Sequence, residues 1–203
     1  MKKRIITISR EFGSGGRSLG LLVSEKLGID FYDQKLIDKA VETTGFSREF
    51  IQEAGEYASS TSRLLFNMSL ASAYSSVGTS SNYDKIYVAQ NNIIRALAEE
   101  KPCVIVGRCA DYILRDRTDC LNVFVCADKK YREKHVLENY GEEKGKSIEK
   151  RLEEKDRKRE LYYKHYTGKN WGDARNYHLC VNTGEIGLDR AVEWIVERYL
   201  AED

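Results

Sequence analysis

The chain has 203 residues, and its 33 lysines and arginines stand against 32 acidic residues, a formal charge of +1. That balance gives no broad basic face, so nucleic acid is not an expected partner, and apolar runs of a few residues exclude a membrane-spanning helix. The length suits one domain with a sizeable core, and the absence of a signal-peptide core after Met1 and of any CxxC pair among five cysteines points to the cytoplasm and reduced thiols.

Ile5 to Ser9 is β-branched and reads as a first strand. Directly behind it come Gly13, Ser14, Gly15, Gly16, Arg17 and Ser18, and then Leu19, Leu22, Val23 and Leu27, apolar at offsets of three and four. This is an amphipathic helix that Gly28 should stop. A strand passing through glycines into a helix exposes backbone N–H groups where the helix dipole also favours an anion. The segment is therefore either a phosphate cradle or an ordinary strand-to-helix turn. Compared with the pattern GxxxxGK[ST], the run from Glu11 to Ser18 has Glu11 at the first glycine, Gly16 at the second, Arg17 at the lysine and Ser18 at the hydroxyl. A second register places Gly16 at the lysine and leaves no cation there. The first is preferred because it retains a charge and a hydroxyl.

A short strand is expected near Ile29 to Tyr32, followed by Asp33, which read by itself is a helix N-cap. A serine-rich insertion at about 47–82 carries Leu64, Leu65, Phe66, Met68 and Leu70 in its middle. It reads as an acceptor-binding insertion, a dimer surface or a simple connection. A helix follows from Asp84 to Glu99, closed by Pro102, the only proline, and then a strand from Cys103 to Val106. Leu121 to Cys126 and Tyr177 to Val181 are further strands. Asp128 to Asn139, Ser147 to Lys164 and Leu188 to Tyr199 have helical spacing. Apolar strands separated by helices predict a three-layer α/β domain, a parallel sheet with helices on both faces, with ligands beyond the carboxyl ends of the strands. The three histidines show no metal-ligand spacing, and His165 receives no role.

The helix Ser147 to Lys164 is dense in charge. Composition alone describes a solvated helix laced with local ion pairs. The alternative is a mobile lid, spanning about 145–173, that brings arginines onto a phosphoryl group in transit. Tyr162 and Tyr163 are expected to pack the root of that helix onto the domain.

Four segments, ITISREFGSGGRS at the loop, VIVGR at 104–108, KDRKR at 155–159 and YHLCVNTGEIGLDRAVEWI at 177–195, resemble the cytidylate kinase family and its divergent cytidylate-kinase-like branch. The resemblance implies a single nucleoside-monophosphate-kinase-like P-loop domain with a five-stranded parallel core and a helical lid. It implies that Gly13, Ser14, Gly15, Gly16, Arg17 and Ser18 hold the donor phosphates and that Arg108 meets the acceptor, with Asp33 as a second acceptor-side group. It further implies that Lys155, Asp156, Arg157 and Arg159 form the lid, with Arg17, Asp33, Arg157 and Arg159 as the catalytic set. Ser18 would hold Mg2+, which enters with ATP. The departures fall on acceptor recognition: Cys109 stands where the family has an aspartate after Gly-Arg, although Asp111 is close by. The expected activity is ATP-dependent phosphoryl transfer to a nucleoside monophosphate, cytidylate-like, or to another small phosphate acceptor, in a protein that either is monomeric or forms a homodimer. The alternative is a nucleotide-binding regulatory module without turnover.

Overall fold

The computed structural model describes residues 3–49, 51 and 82–201. The serine-rich insertion lies almost wholly outside them. Among the described residues the elements run β1 (Ile5–Arg10), α1 (Gly16–Leu27), β2 (Asp30–Tyr32), α2 (Gln34–Thr44), α3 (Asn82–Glu100), β3 (Cys103–Val106) and α4 (Ala110–Ile113). They continue with β4 (Cys120–Cys126), α5 (Lys129–Tyr140), α6 (Ile148–Thr167), a 3-10 turn at Ala174–Asn176, β5 (Leu179–Asn182) and α7 (Thr183–Leu200). The five strands form one parallel sheet in the order β2-β3-β1-β4-β5, as expected.

Alternation along β1 builds two cores, because successive side chains leave a strand on opposite faces. Ile6 and Ile8 pack with Leu19 and Val23 of α1 and with Ala191, Val192 and Ile195 of α7. Ile5 packs on the other face with Leu36 of α2, Ile94 and Leu97 of α3, and Ile113 of α4. Each fully buried aliphatic side chain contributes about 1.5–3 kcal/mol. Thr7 shares that second face and satisfies its hydroxyl by donating to Asn122 Oδ1 at 2.8 Å.

Gly28 ends α1 in the left-handed region, φ 64°, as its position predicted. Several boundaries moved, two of them near the carboxyl terminus. The last strand begins at Leu179, because Tyr177 leaves the 3-10 turn in extended backbone and packs its ring against Phe124, 5.0 Å between centroids. The final helix starts at Thr183, five residues before Leu188, and breaks at Gly187 (φ 75°, ψ 162°) before resuming. The helical spacing was legible only after the break. All five cysteines are free thiols, and burial pushes Cys103 up to about 12 and Cys120 to about 11, so both act as apolar packing groups.

Candidate active site

The glycine loop leaves the carboxyl end of the central strand. Gly13 (φ 84°) and Gly15 (φ 75°) hold left-handed conformations that a side chain would strain. Space is short as well: a Cβ at Gly13 would lie 2.8 Å from the Arg132 carbonyl oxygen, and one at Gly16 would lie 2.5 Å from Arg10 Cβ. Inside the loop, Ser14 Oγ donates to the Glu11 carbonyl at 2.9 Å, and the buried Thr183 hydroxyl donates to the Ser14 carbonyl at 2.6 Å. α1 then opens at Gly16 without a side-chain cap and without an acidic residue in its first turn. Its first amides have no partner within the helix, which leaves a site suited to an anion.

The charged helix α6 lies against this loop. Asp156 Oδ1 accepts the Phe12 N–H at 2.7 Å, and Asp156 Oδ2 accepts Arg132 Nη1 at 2.7 Å. Arg159 is buried and donates to the Arg10 carbonyl at 3.1 Å. Arg151, Lys155 and Arg159, spaced by four, surround the Phe12 ring with their charged groups 5.6, 6.0 and 5.7 Å from its centroid. Burial, and then the neighbouring Lys158 and Arg159, hold the Lys155 ammonium below its ordinary range, the condition of a cation that gains from an incoming anion.

Beside the loop, at the carboxyl ends of β1 and β3, a small cleft, partly open to solvent, is lined by residues including Arg10, Arg108, Asp111, Arg159, Tyr163 and Trp171. Gly107, Arg108 and Cys109 form three consecutive left-handed residues at φ 76°, 59° and 54°. Arginine and cysteine pay a steric cost there, and such strain collects at functional sites. It turns Arg108 into the cleft's lining, buried, with Nη1 lacking any hydrogen-bond partner. Burial raises the Asp111 carboxyl above the ordinary range, while the Tyr163 hydroxyl donates to Asp111 Oδ2 at 2.7 Å and opposes that rise. Three buried guanidiniums thus share the lining with one carboxyl group that resists ionisation. Arg108 Nη1 is the donor there that an anionic ligand can meet.

The sequence-derived residues separate on this map. Arg108 and Arg159 meet in the cleft, and Asp156 joins the loop to α6. Gly13, Ser14, Gly15, Gly16 and Ser18 form the adjoining loop and do not line the cleft. Arg17 is half-exposed, with Nε 2.7 Å from Asp33 Oδ2. Asp33 stands at the start of α2 but makes no side-chain cap, because its carboxylate is turned to Arg17. This corrects the capping alternative. Arg157 faces solvent and pairs with Glu160 at 2.7 Å, away from the cleft, because α6 turns it from the face that carries Lys155 and Arg159. Tyr162 and Tyr163 are buried in an aromatic cluster with Tyr87, Tyr166 and Trp171, the packing role expected of them.

Sequence reasoning missed Arg10, Glu11 and Arg132. Arg132 sits in a helix so polar that nothing in its spacing separates a buried arginine from a solvated one, and only the fold shows the difference.

Mg2+ keeps several waters and is held through one or two protein oxygens together with substrate phosphates. Ser18, half-buried in the first turn of α1, suits that mode. No group of three His, Cys, Asp or Glu residues able to form an all-protein cage occurs among the described residues. No described helix is long and apolar enough to cross a membrane.

Comparison of the sequence with curated proteins found no match. An uncharacterized protein from Eubacterium ventriosum has a similar structure, with TM-score 0.72 and 27% identity, covering 98% of this chain and 100% of that one. Shikimate kinase from Bacteroides thetaiotaomicron superposes with TM-score 0.58 at 15% identity over 96% of this chain and 97% of its own. Deoxyadenosine kinase from M. mycoides, solved with bound dATP, does so with TM-score 0.51 at 12% identity over 98% of this chain and 100% of its own. At those identities the two kinases establish the fold, that of P-loop kinases. The family model described as cytidylate kinase-like matches residues 5–185. With that span matched and the fold in agreement, the chain belongs to the cytidylate kinase-like family.

Proposed function

We propose that the protein is an ATP- and magnesium-dependent phosphotransferase that moves a γ-phosphoryl group onto a small anionic acceptor, a nucleoside monophosphate or another phosphate-bearing molecule. The observation that carries this reading is Arg108: a buried guanidinium, held in strained backbone, with an unpaired donor in a cleft next to the glycine loop. The family and fold support the kinase chemistry.

In this reading the first-turn amides of α1 and the half-exposed Arg17 bind the donor phosphates, and Ser18 helps to hold the metal. Mg2+, when bound there, would supply charge neutralisation for the donor phosphates. Arg108 fixes the acceptor's anionic group. Arg159, between loop and cleft, offsets the charge that spreads over the phosphoryl oxygens in transit. Asp33, tied to Arg17, orients that cation.

The test is a panel of nucleoside monophosphates and other small phosphate acceptors with labelled ATP, run for the wild-type chain and for Arg108→Met. Label transfer to one acceptor class, lost in the variant, supports the reading; no transfer to any acceptor overturns it. One observation favours a second reading, a nucleotide-binding regulatory module. The loop has no lysine, and the arginine in its place is bound to Asp33. A module of that kind gains thermal stability from ATP and forms no diphosphate.

A further inference from the structure

The loop and the lid helix are joined through a third element, α5, and the joint has the form of a charge relay. Arg132 Nη1 lies 3.2 Å from Glu11 Oε2 in the loop and 2.7 Å from Asp156 Oδ2 in α6. Asp156 Oδ1 holds the Phe12 N–H at 2.7 Å and lies 3.5 Å from Arg159 Nη1. Glu11 Oε2 also accepts the Ala127 N–H at 3.2 Å, which anchors the loop just past the end of β4. Four side chains therefore alternate in sign, Glu11, Arg132, Asp156, Arg159, with no net charge.

These are not surface pairs. Arg132 and Asp156 side chains are 12% and 16% exposed, a setting in which geometry and desolvation make each partner matter. The backbone is equally close, since Gly13 lacks the Cβ that would strike the Arg132 carbonyl. Glu11 occupies the place where the usual phosphate-loop pattern has its first glycine. Here that departure provides a carboxylate that ties the loop to α5.

We propose that Arg132 is a positioning residue that joins the phosphate loop and the lid helix into one unit, so that Arg159 meets the transferring phosphoryl group in a fixed place. The proposal rests on the phosphotransferase reading for its kinetic consequence. Both carboxylates meet the one Nη1, whose N–H bonds are held in fixed directions by the guanidinium plane, whereas a lysine presents a single compact charge on a flexible stem. A reacting group displaced by about 1 Å costs on the order of 100-fold in rate.

The experiment compares wild type with Arg132→Met, Arg132→Lys and, as a control on the same helix, Lys129→Met, whose side chain pairs with Glu149 in solvent. Steady-state rates are measured with the acceptor found in the panel, and amide exchange is followed in residues 148–167. Arg132→Met is expected to lower kcat by about 10- to 100-fold with the KM for ATP within about threefold. Arg132→Lys should recover part of the loss, Lys129→Met should match wild type, and exchange in α6 should quicken only in the Arg132 variants. A kcat within about twofold of wild type in Arg132→Met, or a loss confined to KM, overturns the proposal. Should Arg132→Met fail to fold, Arg132→Lys is read by the same kinetic split. A wild-type chain that phosphorylates nothing defeats the phosphotransferase reading instead. The relay is then decided by exchange alone, and an unchanged α6 in the Arg132 variants defeats it.

Discussion

The two halves of the glycine loop are built in opposite ways. The first half, Arg10 to Phe12, is occupied by protein groups: the Arg10 carbonyl by Arg159, the Glu11 carboxylate by Arg132 and the Ala127 amide, the Phe12 amide by Asp156. The second half, Gly15 to Ser18, opens α1 uncapped, and its one charged side chain is half-exposed against Asp33. A site prepared to transfer a group needs both. On the proposed phosphotransferase reading, the occupied half fixes Arg159 beside the transferring group and the open half leaves amides for the ligand.

The contrast breaks most severely at Arg159. Arg159→Ala is expected to lower turnover by about 10³ while affecting ATP affinity far less, and to cost on the order of 3 kcal/mol of stability, because a buried charge network loses one member. Stopped assays and denaturant melts measure the two effects. Gly13→Ala attacks the junction of the two halves through the backbone. Positive φ and a Cβ contact of 2.8 Å on the Arg132 carbonyl should destabilise the fold by about 1–3 kcal/mol, seen as a lower urea midpoint.

On the open half, Arg17→Ala should raise the KM for ATP about tenfold by removing a charge-assisted contact. Its effect on stability should stay under about 1 kcal/mol, since the ion pair is half in solvent.

Asp111 sharpens the comparison from the cleft side. Burial raises its carboxyl pKa in the folded state, so between about pH 4 and that raised value the folded chain holds a proton that the unfolded chain has released. Stability from this group is present at low pH and lost as pH rises through the window. Asp111→Asn should therefore gain stability relative to wild type from pH 4 to 7, which thermal melts across that range would show. The smallest effect belongs to Arg157. Its pair with Glu160 is exposed, and Arg157→Ala should keep turnover within about twofold and stability within about 0.5 kcal/mol. A large rate loss there would assign the lid a different face from the one described.

These differences mark what was legible in the sequence. The parallel sheet followed from apolar strands separated by helices, and Cys103–Val106 matched its expected bounds because Pro102 and Gly107 punctuate it on both sides. The loop was legible because glycine has few other reasons to cluster after a strand. The division of the α6 cations was not. Lys155, Arg157 and Arg159 look alike in a run of charges, and the face each takes depends on which turn of α6 meets Phe12. Arg132 was invisible for the same reason. Its partners lie 121 and 24 positions away in numbering, and no local pattern encodes such a meeting.

The place of β1 in the sheet also bears on how this chain is made. β1 is flanked by β3 and β4, and its register with β4 pairs Ile5 with Cys120 and Arg10 with Val125. More than a hundred residues must leave the ribosome between the central strand and its second neighbour, a wait of roughly 5–20 s at ordinary rates of synthesis. Throughout that interval Ile5, Ile6 and Ile8 lack a completed sheet. Nascent chains of this protein are therefore expected to engage a chaperone that shields β-branched segments until translation passes Cys126.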